Sequence, residues 1–331
     1  GSYNTAVGYR TLRANTTGGY NTAVGYQAIN ANTTGANNTA SGHQALLAST
    51  TGDNSTAVGY RSLYNATTAD SNTAIGAYAL YSATTEGSLT AIGYQAAKAN
   101  TSGSGTIAIG YQSLLSNTTG DYNTSVGFQS LYSNTSGGYN FASGYQALYS
   151  NTTGTNNFAS GYGTLYSNTT GINNLALGVE TLYNNTTGQN NNAIGGYALK
   201  ANTVGIYNSA LGYQALFSNV SGDYNNANGY VSLYSNTTGS NNIATGIYSL
   251  YSNTTGSNNV GIGSFAGYSN QTGSSNIFIG VNAGRNETGS NKLYIANGAD
   301  TSSQLIYGDF SSGNMTIGNG SGPINFSAST V

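Results

Sequence analysis

The sequence predicts an all-β chain, a parallel β-solenoid (β-roll) built from 17-residue coils. Three observations predict it. A glycine recurs at a spacing of 17, from Gly8 through Gly25, Gly42 and Gly144 to Gly280, in 17 copies without an insertion. Disordered tracts tolerate changes of length, whereas a strict period means that each copy stacks on the one before it. The apolar positions are too few to give one copy a core of its own. The residue two before this anchor glycine is Ala in 14 of 17 copies, and the residue four after it is usually Leu, from Leu12 and Leu46 to Leu250. Stacked copies bury both as continuous columns. Finally, each copy mixes β-branched residues and Tyr with clustered Asn, Thr and Gly, a composition of short strands and turns rather than of helices.

Within a copy the elements follow in order. A strand lies around "TAVGY", a second segment around "QALYS" and a turn at "NTTG". The glycine closing "NTTG" is expected to supply the left-handed conformation where the chain bends. With strands about 4.8 Å apart, the repeats predict a rod of about 80 Å. Residues 1–280 are assigned to the solenoid. The period then slips by one residue within "GVNAGRNETGSNKLYIANG", and strand-like pieces follow at "QLIYGDF" (304–310), "NMTIGN" (314–319) and "PINFSA" (323–328). Residues 281–331 are read as an irregular β cap or adaptor, the cover that an exposed solenoid end requires. The chain begins inside the repeated phrase, at "GSYNTAVGY", and reads as a piece of a longer protein.

Composition narrows the function. Charged residues are 5% of the chain, the net charge is −2, and the seven cationic residues are scattered, so there is no electrostatic footprint for nucleic acid. No apolar run approaches the roughly 20 residues of a membrane helix, and no membrane insertion is expected in this segment. The absence of cysteine removes disulfides and thiolate metal sites. No enzyme is indicated. His43 is the single histidine and occupies a column otherwise filled by Tyr, so it reads as a tyrosine substitute. No serine has a His or acid partner at suggestive spacing, and the glycines recur in every coil without a GK[ST] signature. No catalytic, cofactor-binding or metal-binding residue is assigned, and no cofactor is implied.

The tyrosines fall into columns directly after the anchor glycine, five after it and five before it. They predict aromatic ladders between coils. Tyr145, Tyr162, Tyr149 and Tyr166 are the candidate contact residues should an aromatic face meet a glycan or another surface. Where Tyr is missing after the glycine, at Ala77, Gly196 and Ile247, it appears one residue later, as Tyr78, Tyr197 and Tyr248. That shift places the ring at a bend where either face reaches a common space. Asp53, Asp70, Asp121 and Asp223 share a turn column with Glu86 one position off, and read as solvated turn acids or as a stack holding a cation. The recurring "NTT" makes Asn117, Asn134, Asn151, Asn168, Asn236 and Asn253 candidate glycosylation sites along one edge. The threonines beside the turn glycine (Thr17, Thr34, Thr51, Thr68) lie in turns, and the strand column three before the anchor drifts to Phe141, Phe158 and Leu175, which departs from a flat ice-binding face.

At "NTAVGYQAL", "NTAIGAYAL" and "TIAIGYQSL" the sequence resembles the head repeats of trimeric autotransporter adhesins, over about residues 1–280. The "GYQALYSNTTG" array followed by "KLYIANGADTSSQLIYGDF" looks like long repeat regions of phage tail fibres and related bacterial surface fibres. The resemblance implies a left-handed roll, a homotrimer, and display outside a cell, at its surface or on a virion. The expected function is a structural extracellular fibre segment, a shaft or head that presents an adhesive end. Two alternatives stand beside it: a self-assembling extracellular filament subunit, and a module that binds a cell-surface glycan or host surface through Tyr and Asn faces.

Overall fold

A computed structural model describes residues 1–298 and 304–318; the predicted strand at 323–328 lies outside the described residues. The fold is all-β, a parallel solenoid with the expected 17-residue coil, and no helix occurs among the described residues. The chain forms two compact units, Gly1–Leu177 and Gly178–Val331. The first holds eleven three-residue strands, from β1 (Thr5–Val7) to β11 (Leu175–Leu177). The second runs from β12 (Asn192–Ile194) to β17 (Ile277–Ile279) and adds β18 (Lys292–Ala296), β19 (Gln304–Asp309) and β20 (Asn314–Ile317). Within β1–β11 and within β12–β17 each strand residue opposes its own equivalent one coil away, as in Thr5↔Thr22, Ala6↔Ala23 and Val7↔Val24.

Extended backbone covers three residues of a coil, yet hydrogen bonds between coils run almost all the way round it. In the coil of Gly144, the N–H groups of Gly144 and Gln146 donate backwards to Val126 and Phe128 (2.8 and 2.9 Å). Those of Leu148, Ser150 and Thr152 donate forwards to Thr164, Tyr166 and Thr169 (2.9, 3.0 and 2.9 Å). The "QALYS" segment is therefore a series of corners that still pairs like a strand.

The corners demand unusual backbone. The anchor glycine holds φ between 115° and 150°, as at Gly144 (139°), and a Cβ there would collide with the carbonyl of the next coil's anchor glycine. Three further positions are left-handed without being glycine: Gln146 and Leu148 (both φ 53°) and Asn156 (φ 57°) are one set. Such a conformation costs a non-glycine residue about 1–2 kcal/mol, and for the leucine its complete burial, worth about 1.5–3 kcal/mol, offsets the strain. The glycine closing "NTTG" corrects an expectation: Gly154 does not have positive φ. Its hydrogen is required because a Cβ would strike the Asn151 amide oxygen and the carbonyl of Gly171 one coil on.

The core is a set of parallel columns. Ala142, Ala147 and Leu148 are fully buried, as their spacing predicts, and Asn140 and Asn151 are buried with them. Two exceptions to the alanine column are locally compensated. The Ser125 hydroxyl joins a buried cluster with Ser113 and Ser130. Phe278, the largest fully buried side chain, takes space vacated by Gly267 and Gly284, where most other coils carry leucine; a Cβ on either glycine would meet the Phe278 ring.

The slipped period produces one more coil. β18 pairs parallel to β17 in a register of Ile277↔Leu293, sixteen residues rather than seventeen. β19 and β20 then fold back as antiparallel strands. Lys292 Nζ reaches Asp309 Oδ2 across this hairpin at 2.7 Å. The Tyr294 hydroxyl donates to Glu287 at 2.6 Å, and the Gly289 and Thr288 N–H groups donate to the other Glu287 oxygen. Burial resists the ionisation of Glu287, but these donors and Lys292 outweigh it and hold the carboxyl below its usual range. Lys292, then Ser311, hold Asp309 well below the usual carboxylate range.

Three outcomes are expected from this geometry. Gly144→Ala is expected to destabilise the first unit by at least about 2 kcal/mol in denaturant titration. Gly163→Gln is expected to be nearly neutral, because Gly163 (φ 59°) stands where the preceding coil places Gln146 in the same conformation. Glu287 and Asp309 have folded pKa values below their unfolded ones, so their stabilisation is complete above the ordinary carboxylate range and is lost as pH falls through the folded values. Hydrogen exchange should show 292–296 and 304–317 opening below about pH 4 while the coils remain protected; simultaneous opening of the coils would contradict this.

Candidate functional site

Two files of asparagine organise most coils from within. The file four residues before the anchor glycine bonds coil to coil through the backbone. Asn140 N–H donates to Asn123 Oδ1 at 3.0 Å, and Asn140 Nδ2 donates to the Gly154 carbonyl at 2.9 Å. The file seven after the anchor bonds side chain to side chain. Asn134 Nδ2 donates to Asn117 Oδ1 (2.8 Å) and to the carbonyl of Gly137 in its own turn (2.9 Å). The turn-glycine carbonyl thus accepts from both files, which satisfies an acceptor that would otherwise be buried unpaired.

This second file overturns the expected glycosylated edge. Asn117, Asn134, Asn151, Asn168, Asn236 and Asn253 all face inward with no exposed surface. A glycan on Nδ2 is incompatible with the folded coil, because that nitrogen sits in the core and is already bonded, as in Asn151 to Asn134 Oδ1 and in Asn253 to Asn236 Oδ1. The file also has ends. Ser49, Ala66 and Ala83 replace Asn in three consecutive coils, and Glu287 follows Asn270. Asn32 Oδ1 and Asn270 Oδ1, the last members before those replacements, are buried without a partner.

The tyrosine columns form the expected ladders. The ring of Tyr145 stacks between Phe128 (5.1 Å, 4°) and Tyr162 (5.2 Å, 7°). That of Tyr149 stacks between Tyr132 (5.0 Å) and Tyr166 (5.1 Å). Both faces of Tyr145 and Tyr149 are therefore covered, and an approaching glycan meets ring edges and hydroxyls rather than the open faces that sugar stacking uses. His43 lies in such a ladder, 4.9 Å from Tyr26 and 5.3 Å from Tyr60, in a tyrosine's place. The displaced rings of Tyr78, Tyr197 and Tyr248 meet a neighbouring coil's ladder edge-on, at Tyr60, Tyr213 and Tyr230. Tyr78 and Tyr248 also touch Tyr81 and Tyr251, so each bridges two ladders at a common space. The Arg61 guanidinium does the same, over Tyr60 and Tyr64.

The turn acids serve the backbone. Asp53 Oδ1 accepts from Ala36 N–H and Asp70 Oδ1 from Asp53 N–H, both at 2.7 Å; Asp121 and Asp223 repeat the contact with Ser104 and Ile206 at 2.8 Å. Sequence reading placed these acids in water and missed that each ties its coil to the one before. A shallow cleft of about 170 Å³ on the hairpin, lined by Leu293, Phe310 and Met315 among others, is below the roughly 300 Å³ at which ligand pockets begin.

The remaining feature is the outer strand face. The residues three and one before the anchor point outward in every coil, and none is charged. In the first unit they include Val24, Val58, Ile75, Ile92, Ile107 and Ile109; in the second, Leu211, Ile243, Ile262 and Ile279. All are more than a third exposed. Phe141 and Phe158 stack on this face at 4.6 Å. Comparison with protein families, with characterised proteins and with solved structures returned no match.

Asn134→Ala deprives Asn117 Oδ1 of its donor and is expected to cost about 2 kcal/mol. Ser49→Asn gives Asn32 Oδ1 a donor but leaves its own Oδ1 facing Ala66 without one, so it moves the unpaired acceptor by one coil and should change stability by less than about 1 kcal/mol. A denaturation midpoint for Asn134→Ala shifted no further than that of Ser49→Asn would refute the ladder's energetic role.

Proposed function

We propose that this chain is a structural segment of an extracellular fibre, displayed on a cell surface or a virion, that holds an adhesive end away from its anchor. It works as a homo-oligomer, a trimer by the resemblance of its repeats to adhesin heads. The observation that carries the reading is the outer strand face: an uncharged surface on which Val, Ile or Leu stands in most coils. Monomeric proteins rarely leave extended apolar surface in water. A second copy of the chain offers the same face with the same coil spacing, so an apolar stretch such as Val58, Ile75, Ile92 and Ile109 meets its own equivalents. The coils support a mechanical role, since each is bonded round its perimeter to the next and bears load through many hydrogen bonds in parallel.

Light scattering tests the reading. The chain is expected as a particle of three copies, and Ile75→Lys, Ile92→Lys and Ile109→Lys together should release monomers whose circular dichroism is unchanged. A wild-type monomer at all concentrations would overturn it.

A further inference from the structure

The tyrosines carry a chemistry that a mechanical role does not use. All but Tyr294 and Tyr307 lie in the solenoid repeats; the chain has no cysteine and no tryptophan, and its one methionine, Met315, is on the hairpin. The thiols and thioethers that oxidise first elsewhere are thus missing from the repeats, and phenol is the readily oxidised group they present.

Three tyrosine pairs stand apart from the long ladders, on the turn edge five residues before the anchor glycine. They are Tyr3–Tyr20, Tyr122–Tyr139 and Tyr207–Tyr224, with ring centroids 5.0, 5.2 and 5.1 Å apart. These are among the most exposed rings of the protein, from 50% at Tyr207 to 77% at Tyr3. Each pair is isolated within its column: Gly105 and Asn156 flank Tyr122–Tyr139, and Asn190 and Asn241 flank Tyr207–Tyr224. The backbone fixes the two rings one coil apart, with Tyr122 N–H on the Ser104 carbonyl (2.8 Å) and Tyr139 N–H on the Asp121 carbonyl (2.9 Å). A radical on one ring therefore has a single neighbouring phenol, held at high effective concentration. Rings inside the longer ladders, such as Tyr145 and Tyr149, are stacked on both faces, so turning one edge to edge breaks two stacks rather than one.

We propose that these three pairs are sites of oxidative coupling, in which a haem peroxidase and hydrogen peroxide join consecutive coils by a dityrosine bond. Each phenol gives up one electron and its hydroxyl proton. The two phenoxyl radicals combine at the ring carbons ortho to oxygen. Each ring then moves its ortho hydrogen to oxygen as a proton and recovers its phenol. Two C–H bonds are replaced by one C–C bond, and the peroxide is reduced to two waters. The product is a covalent staple across the turn edge, independent of any thiol.

The test treats the full folded chain with a haem peroxidase and hydrogen peroxide. Mass spectrometry of proteolytic fragments is expected to find linked peptides at Tyr122–Tyr139 and Tyr207–Tyr224, each short of two hydrogens, with blue dityrosine fluorescence and a raised unfolding midpoint. Tyr3→Phe, Tyr122→Phe and Tyr224→Phe combined remove one phenol from every pair, and should lower the fluorescence several-fold while leaving the fold intact. The same treatment in urea should scatter the links. Links spread evenly over the tyrosines, links chiefly between separate chains, or equal yield in urea would each overturn the proposal.

Discussion

Each unit depends on one constraint: each coil is hydrogen-bonded round its perimeter to the next, in a register that stays at seventeen residues up to β17. Every side chain consequently lies on its own equivalent, and a residue type can fill a column only if it tolerates contact with itself. Amides meet this condition because one end donates and the other accepts, as in the Asn117–Asn134–Asn151 file. The glutamines do so at the surface, where Gln146 Nε2 donates to Gln129 Oε1. Phenol rings stack, threonine hydroxyls reach the next coil's carbonyl, as from Thr135 to Thr152, and aliphatic groups pack. Like charges directly opposite one another repel, so the 5% of charged residues is a consequence of the architecture.

The same constraint explains the strained backbone. Turning the chain within so short a circuit, while every N–H stays aimed at a neighbouring coil, requires left-handed residues at fixed corners. Glycine fills the corner at Gly144 and its equivalents, where no Cβ fits. Gln146, Leu148 and Asn156 occupy the others under strain, and that strain is distributed along the chain rather than stored at one site.

Much of this was legible in the sequence. The period, the strand at "TAVGY", the inward Ala142 and Leu148 and the stacked tyrosines all follow from counting residues against the anchor glycine. The asparagines were misread because a polar residue beside Thr-Thr-Gly has the chemistry of a solvent-facing turn. A signal was nevertheless present: the misread file holds Asn in 13 of 17 repeats, and Ser49, Ala66 and Ala83 among its replacements are small residues of the kind a closed interior admits. The coupling of Phe278 to Gly267 and Gly284 was not legible, because it links columns that meet only once the coil is closed. The outer strand face was hidden for a similar reason, since alternation identifies which residues point away from the core but not whether anything covers them.

Strict self-equivalence also bears on how such a chain changes length over generations. Because one coil presents the same donors above and acceptors below as the next, a gene that loses or duplicates a single repeat by replication slippage still encodes a closed set of bonds. Reach then varies in whole steps of about 4.8 Å, with no intermediate length that folds worse. The coils around Phe278 are exempt, since its ring and the two glycines that admit it span neighbouring repeats. That stretch can be inherited only as a block, which makes it a fixed point against which the rest of the array is free to lengthen or shorten.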